Sequence, residues 1–186
     1  MLLDDDAKDD DAKLVRQWLA GDMADYEAVV ARFQAPIFRF AYNLLGDREE
    51  AEDVAQEVFV AAYRHREQFD PRRARFSTWL FTIARHRCIN SLKKKKLDTV
   101  AFDEFTADRP PGLRVEERTA FWESLDRALA ALPWEQRTVF VLAEIEQLAY
   151  AEIAEIEKTS LGTIKSRLHR AKRALRAALE PMGRAR

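Results

Sequence analysis

The chain has 186 residues, and its 31 Lys+Arg against 32 Asp+Glu leave a net charge of −1. That is room for one ordinary domain or two small ones. No apolar run approaches the ~20 residues that span a bilayer, the aspartate-rich start does not read as a secretory signal, and Cys88 as the single cysteine excludes an intrachain disulfide and a Cys-rich zinc site. A soluble cytoplasmic protein with no membrane insertion is expected. Gly (5) and Pro (6) are scarce, which favours helix over sheet.

Residues 1–11 read as a disordered acidic tail. Leu14, Trp18 and Leu19 then sit at helical spacing, and Gly21-Asp22 ends that short helix. Tyr26, Val29, Val30 and Phe33 form the next stripe, and Pro36 is expected to break the pattern or start a new helix. Ile37, Phe40, Ala41, Leu44 and Leu45 follow, closed by Gly46 as a C-cap. Asp47 with Glu50 resembles a capping box. The helix after it sets Asp53, Gln56, Glu57 and Val60 opposite Val54, Ala55, Val58 and Ala62, with Phe59 beside the polar stripe. Such a stripe is either a solvated face or a reversible docking surface. Asp70-Pro71 is a turn, and a last helix of this half runs from about Ser77 into Lys93–Lys96.

Residues 97–118 hold six acids and Pro110-Pro111-Gly112 without an apolar period, so they read as a flexible acidic linker. From 119 helical patterning returns: Phe121, Leu125, Leu129 and Leu132; then Val139, Phe140, Leu142 and Ile145 after Pro133; then a short helix from Tyr150; then a long one that Ser160 can cap. The predicted fold is all-α. Two small helical domains, 12–96 and 119–180, are joined by the linker.

Charge is distributed unevenly. Residues 71–97 carry nine Lys/Arg and no acid, and residues 160–186 carry eight against Glu180 alone. Two basic islands separated by acidic stretches suggest two DNA contacts. In the second island a short helix, a turn and a longer basic helix make a helix-turn-helix. At about 100° per residue, Ile164, Leu168, Ala171 and Leu175 share one face. Ser166, His169 and Arg173 centre the other, flanked by Lys165, Arg167 and Arg170. A major groove admits such a helix; a solvated basic surface is the alternative. In the first island Arg72, Arg73, Arg75, Phe76, Trp79, Phe81, Arg85, His86 and Arg87 interleave cations with aromatics. Cations track phosphate and aromatics stack on unpaired bases; alternatively the three aromatics are core.

The run Gly162-Thr163-Ile164-Lys165-Ser166-Arg167-Leu168-His169-Arg170-Ala171, with Leu132-Pro133, Arg137, Val139, Phe140 and Tyr150-Ala151-Glu152-Ile153-Ala154 before it, resembles the promoter-binding C-terminal domain (region 4) of extracytoplasmic-function sigma factors. Gly46 to Phe59 and Phe76-Ser77-Thr78-Trp79-Leu80 resemble region 2 of the same family. The resemblance implies a transcription initiation factor without catalytic residues or cofactor. Its partners would be promoter DNA and core RNA polymerase, at the clamp helices of the largest subunit and at the flap, and such a factor can also take an anti-sigma protein. Its genes would answer stress or envelope signals. It further implies that Lys165, Ser166, Arg167, His169, Arg170 and Arg173 face the minus-thirty-five element. Arg72, Arg73, Arg75, Phe76, Trp79, Arg85, His86, Asn90 and Lys93 would serve the minus-ten element, and Asp53, Gln56, Glu57, Phe59 and Val60 the polymerase. Where such sequences carry an apolar residue and then glycine, this one has Glu157-Lys158, so a looser turn is expected. Two other classes compete: a helix-turn-helix regulator with a sensing N-terminal half, and a helical enzyme. No phosphate loop, nucleophile elbow or zinc ligand set supports the enzyme, and a sensor has no need of an aromatic-basic helix.

Overall fold

The computed structural model describes residues 3–20, 23–101 and 120–183, and among them every regular element is helical. Four helices make the N-terminal half: α1 (Leu3–Leu19), α2 (Met23–Leu45), α3 (Arg48–Arg64) and α4 (Phe76–Ala101), with a 3-10 turn at Arg66–Gln68. The C-terminal half holds α5 (Ala120–Ala130), α6 (Trp134–Phe140), a π-helical turn (Val141–Ile145), α7 (Tyr150–Glu157) and α8 (Leu161–Gly183).

Local chemistry explains the boundaries. Gly46 closes α2 at φ 74°, donating its N–H to the Tyr42 carbonyl at 2.8 Å. The Asp47 carboxylate then accepts from the Glu50 N–H at 3.1 Å, capping α3. Pro36 does not break α2, contrary to expectation. An interior proline costs ~3 kcal/mol, but each fully buried large apolar side chain contributes ~1.5–3 kcal/mol, and the buried stripe Val29, Phe33, Ile37, Phe40, Leu44 runs through the proline on both sides. Helix α1 begins at Leu3 rather than near residue 12, so the expected disordered tail is helical from there on. Acidic residues suit a helix N-terminus, where the dipole is positive. Helix α4 likewise runs to Ala101, past the expected linker boundary at 97; the remainder of the linker segment, including Pro110-Pro111-Gly112, lies outside the described residues.

Helices α1 to α4 bury Trp18, Phe40, Ile37, Leu44, Val58, Leu80, Phe81 and Cys88. Burial pushes the Cys88 thiol up to about 12, so it is a packing group and not a thiolate. In the other half Val139, Leu142, Ile153, Ile156, Ile164 and Leu168 pack between α6, α7 and α8, while Ala128, Leu129 and Leu132 of α5 meet Ala171 and Leu175 of α8. The two expected cores are not separate: the buried residues of α1–α4 and those of α6–α8 form one continuous cluster. Arg137 helps join the halves. Its guanidinium donates to the Leu44 carbonyl of α2 at 2.9 Å, and also to the carbonyls of Ala130 and Leu132.

Candidate nucleic-acid and polymerase interfaces

The helix-turn-helix is built from short-range rules. The side chain of Glu152 reaches back to the Ala149 N–H at 2.9 Å and caps the start of α7. Lys158 then takes the left-handed conformation, φ 50° and ψ 49°. The turn is therefore as tight as a glycine would make it, which corrects the looser turn expected from Glu157-Lys158; the lysine bears the strain instead. Ser160 Oγ accepts from the Thr163 N–H at 3.2 Å and starts α8. On α8 the stripe Ile164, Leu168, Ala171 and Leu175 is buried, and Lys165, His169, Arg170 and Arg173 are exposed on the far side. Ser166 and Arg167 are half-buried. Arg170 donates to Ser166 Oγ at 2.6 Å, and Arg167 Nη1 lies 3.1 Å from Glu157 Oε2.

In the N-terminal island Asp70 accepts from the Arg72 N–H at 2.9 Å, which shapes the loop. Arg72, Arg73, His86, Asn90 and Lys93 are exposed. The His86 imidazole is held below its usual range by desolvation and by the neighbouring cations Arg85 and Lys158. Phe76 departs from its expected role. It is only 6% exposed, edge-on to Trp18 at 5.4 Å, Phe33 at 5.3 Å and Phe69 at 5.3 Å. A ring enclosed by three others is core and offers no face to a base. Phe81 is buried against Phe40 in the same way. Trp79, half-buried beside Phe69 and Phe76, is the aromatic of the set with accessible surface.

The acidic stripe of α3 is arranged as expected except at one position. Asp53, Gln56 and Glu57 are exposed, and Val60 is 48% exposed, unusual for an aliphatic side chain in mid-helix. Phe59 is 7% exposed and belongs to the core, because it sits one residue from Val58 on the packed side; it is not a docking residue here. Glu57 pairs with Arg87 of α4 at 3.2 Å.

Sequence reasoning missed a set of contacts between the halves. Arg39 of α2 grips Glu146 with two hydrogen bonds, 2.7 and 2.6 Å. Burial nevertheless pushes the Glu146 carboxyl up, with the Arg39 contact opposing. Glu152 accepts from Thr78 Oγ1 at 3.4 Å and lies 3.3 Å from Arg75 Nη1. Glu157, its side chain 1% exposed, bonds Arg85 of α4 as well as Arg167 of α8. The only sign in sequence was a polar pair where an apolar-glycine pair was anticipated.

Among the described residues no helix is long and apolar enough to cross a membrane, and no group of His, Cys, Asp and Glu could hold a metal ion. Residues 29–97 match Sigma-70 region 2, and residues 122–175 match Sigma-70 region 4. The chain is 34% identical to the ECF RNA polymerase sigma factor SigW of Bacillus subtilis, over 91% of this chain and 97% of that one. It is 31% identical to the RNA polymerase sigma-H factor of Pseudomonas aeruginosa, over 94% and 96%. In fold it is similar to the sigma factor RpoE of Bartonella quintana, solved with the anti-sigma factor NepR, with a TM-score of 0.69 at 23% identity over 84% of this chain and 97% of that one. It is also similar to CnrH, solved with the cytosolic domain of CnrY, with a TM-score of 0.68 at 24% identity over 92% and 97%. Two helical regions in the expected order, a capped helix-turn-helix and full-length similarity to known members place the chain among the extracytoplasmic-function RNA polymerase sigma factors, transcription initiation factors that have no catalytic chemistry of their own.

Proposed function

We propose that the chain divides promoter recognition between its two basic surfaces while the α3 stripe holds the polymerase. The observation that carries this is the α8 face: Lys165, His169, Arg170 and Arg173 stand clear of a fully packed opposite stripe, at the end of a correctly capped turn. That surface offers cations and hydrogen-bond donors and no aromatic, so it reads duplex edges in a major groove; Ser166 and Arg167 flank it. Arg72, Arg73, Arg75, Arg85, His86, Asn90 and Lys93 form the second surface, with Trp79 as its stacking group. It prefers the opened minus-ten strand, where a captured base needs both a phosphate partner and a ring.

Asp53, Gln56, Glu57 and Val60 are the polymerase-binding residues, a polar stripe with one exposed apolar side chain on a rigid helix. The protein works in the cytoplasm, at genes answering stress or envelope signals, as a region 2 unit and a region 4 unit that can separate. An anti-sigma protein is a partner of matching kind, as in the solved complex of RpoE with NepR.

Titration of core polymerase with the Asp53→Ala, Gln56→Ala double variant tests the docking surface. Both side chains are exposed, so the fold is retained and affinity falls; unchanged affinity removes the stripe from the interface. In the same holoenzyme assay Arg170→Ala weakens closed-complex formation by ~1–3 kcal/mol if a base contact is lost. Trp79→Ala instead reduces permanganate-reactive open complex. Failure of both variants at the same step refutes the division of labour.

A further inference from the structure

In a helix that enters a major groove, the N-terminal residues reach the base edges first. The hydroxyl side chains of that turn in α8 are already spent. Ser160 Oγ accepts from the Thr163 N–H at 3.2 Å and lies 3.0 Å from Thr163 Oγ1, so both serve the cap. What remains is Leu161 and Gly162. Leu161 is 48% exposed and packs in neither core cluster. It stands four residues before Lys165, on the same side of the helix, and its Cα–Cβ bond tilts toward the end that enters the groove. Gly162 is exposed and lies in line with Ser166, His169 and Arg173, four, seven and eleven residues on. A methyl group on its Cα would touch nothing nearer than Ser160 Oγ, 3.8 Å away, and its φ is not positive. Glycine is also a poorer helix former than alanine. Neither packing within the chain nor backbone conformation accounts for it, whereas the close approach of a second surface does. A lone exposed leucine is ordinary; its place at the tip of α8 gives this one a use. The major groove displays donors, acceptors and one apolar group, the C5 methyl of thymine. Leu161 has nothing to offer a donor or an acceptor, so the methyl is the feature it can select.

We infer that Leu161 is a specificity-determining residue of the duplex-reading surface: it packs on the C5 methyl of one thymine in the minus-thirty-five element, and Gly162 lets the first turn of α8 come close enough for that contact. The inference rests on the assignment of α8 to duplex DNA and adds one apolar reading to a surface of cations and hydrogen-bond donors. Burial of a single methyl group changes affinity about fourfold. That factor is independent of salt, unlike the phosphate contacts of the neighbouring cations.

The test uses holoenzyme assembled from core polymerase and the full chain, with promoter duplexes randomised over the upstream element. Selection with the parent is expected to enrich thymine at one position, and selection with Leu161→Ala to lose that enrichment and no other. On the selected duplex, replacing that thymine by deoxyuridine removes the methyl alone. The swap is expected to weaken the parent about fourfold at every salt concentration and to leave Leu161→Ala unchanged. Gly162→Ala is expected to raise the Tm of the free chain by roughly 1–4 °C while weakening holoenzyme binding roughly tenfold, the cost of forcing a methyl into a closed contact. If no thymine enrichment depends on Leu161, or if the deoxyuridine penalty persists in Leu161→Ala, the assignment of Leu161 is overturned. A Gly162→Ala variant that binds as well as the parent, or that loses Tm together with affinity, overturns the close approach. Arg170→Ala on the same duplexes separates this inference from the reading beneath it. Unchanged affinity there withdraws α8 from the duplex altogether, and Leu161 with it. Weakened affinity, with a methyl penalty indifferent to Leu161, overturns Leu161 alone.

Discussion

Phe76→Ala separates a packing role from a base-stacking role at one position. The ring is 6% exposed and makes aromatic contacts with Trp18, Phe33, Phe69 and Trp79 at 5.3–5.6 Å. These neighbours come from α1, α2, the loop before α4 and α4 itself, so no single movement can fill the space left by truncation. A buried Phe→Ala change costs ~3–5 kcal/mol, and each ring pair adds ~0.5–1.5 kcal/mol beyond its area. The ring pairs are largely contained in the first figure, so we expect about 4 kcal/mol. With an m-value of ~2–3 kcal/mol/M in urea, the midpoint falls by ~1.3–2 M. Equilibrium urea unfolding of the full chain, followed by circular dichroism, reads this directly. Phe76→Leu retains most of the volume and is expected to recover more than half of the loss. A ring that served only to stack on DNA would leave the unfolding free energy of both variants within ~0.5 kcal/mol of the parent, the usual range for a surface change, and that result would refute the core assignment.

Two further outcomes follow from the turns flanking α7. Lys158→Gly relieves a left-handed residue at the end of α7 and is expected to stabilise the chain by about 1 kcal/mol, net of the extra unfolded-state entropy of glycine. That is a rise of ~2–4 °C in the calorimetric Tm; a fall would mean that the lysine side chain makes a contact worth more than the strain. At Glu146, burial holds the folded-state carboxyl above its ordinary value of 4.5. The folded state therefore binds the proton more tightly than the unfolded one, and this group's contribution to stability is present at low pH and lost as pH rises through its folded value. Glu146→Gln should remove that loss, so that the variant gains on the parent from pH 4 upward in a series of urea titrations at about 0.5-unit steps; an advantage that shrinks with rising pH would show that the Arg39 pair outweighs burial.

Much of this protein was legible from residue spacing. The helical stripes, the caps at Asp47 and Ser160, the glycine stop at 46 and the exposed cations of α8 all follow from interactions within one or two turns of chain, where sequence distance and spatial distance are nearly the same thing. The α3 stripe was legible for the same reason, and it erred only at Phe59, next to the packed side. What spacing could not settle was which amphipathic surfaces meet. Phe76 and Phe81 have the composition of a stacking surface, and only the convergence of α1, α2 and α4 turns them into core. Pro36 has the local chemistry of a helix break, overridden by burial along the whole of α2. The pairing of Glu146, Glu152 and Glu157 with Arg39, Arg75 and Arg85 joins residues 72 to 107 positions apart. An acid and an arginine carry no mark in the sequence that says which of many opposite charges will face them. That choice belongs to the tertiary packing of α7 on α4.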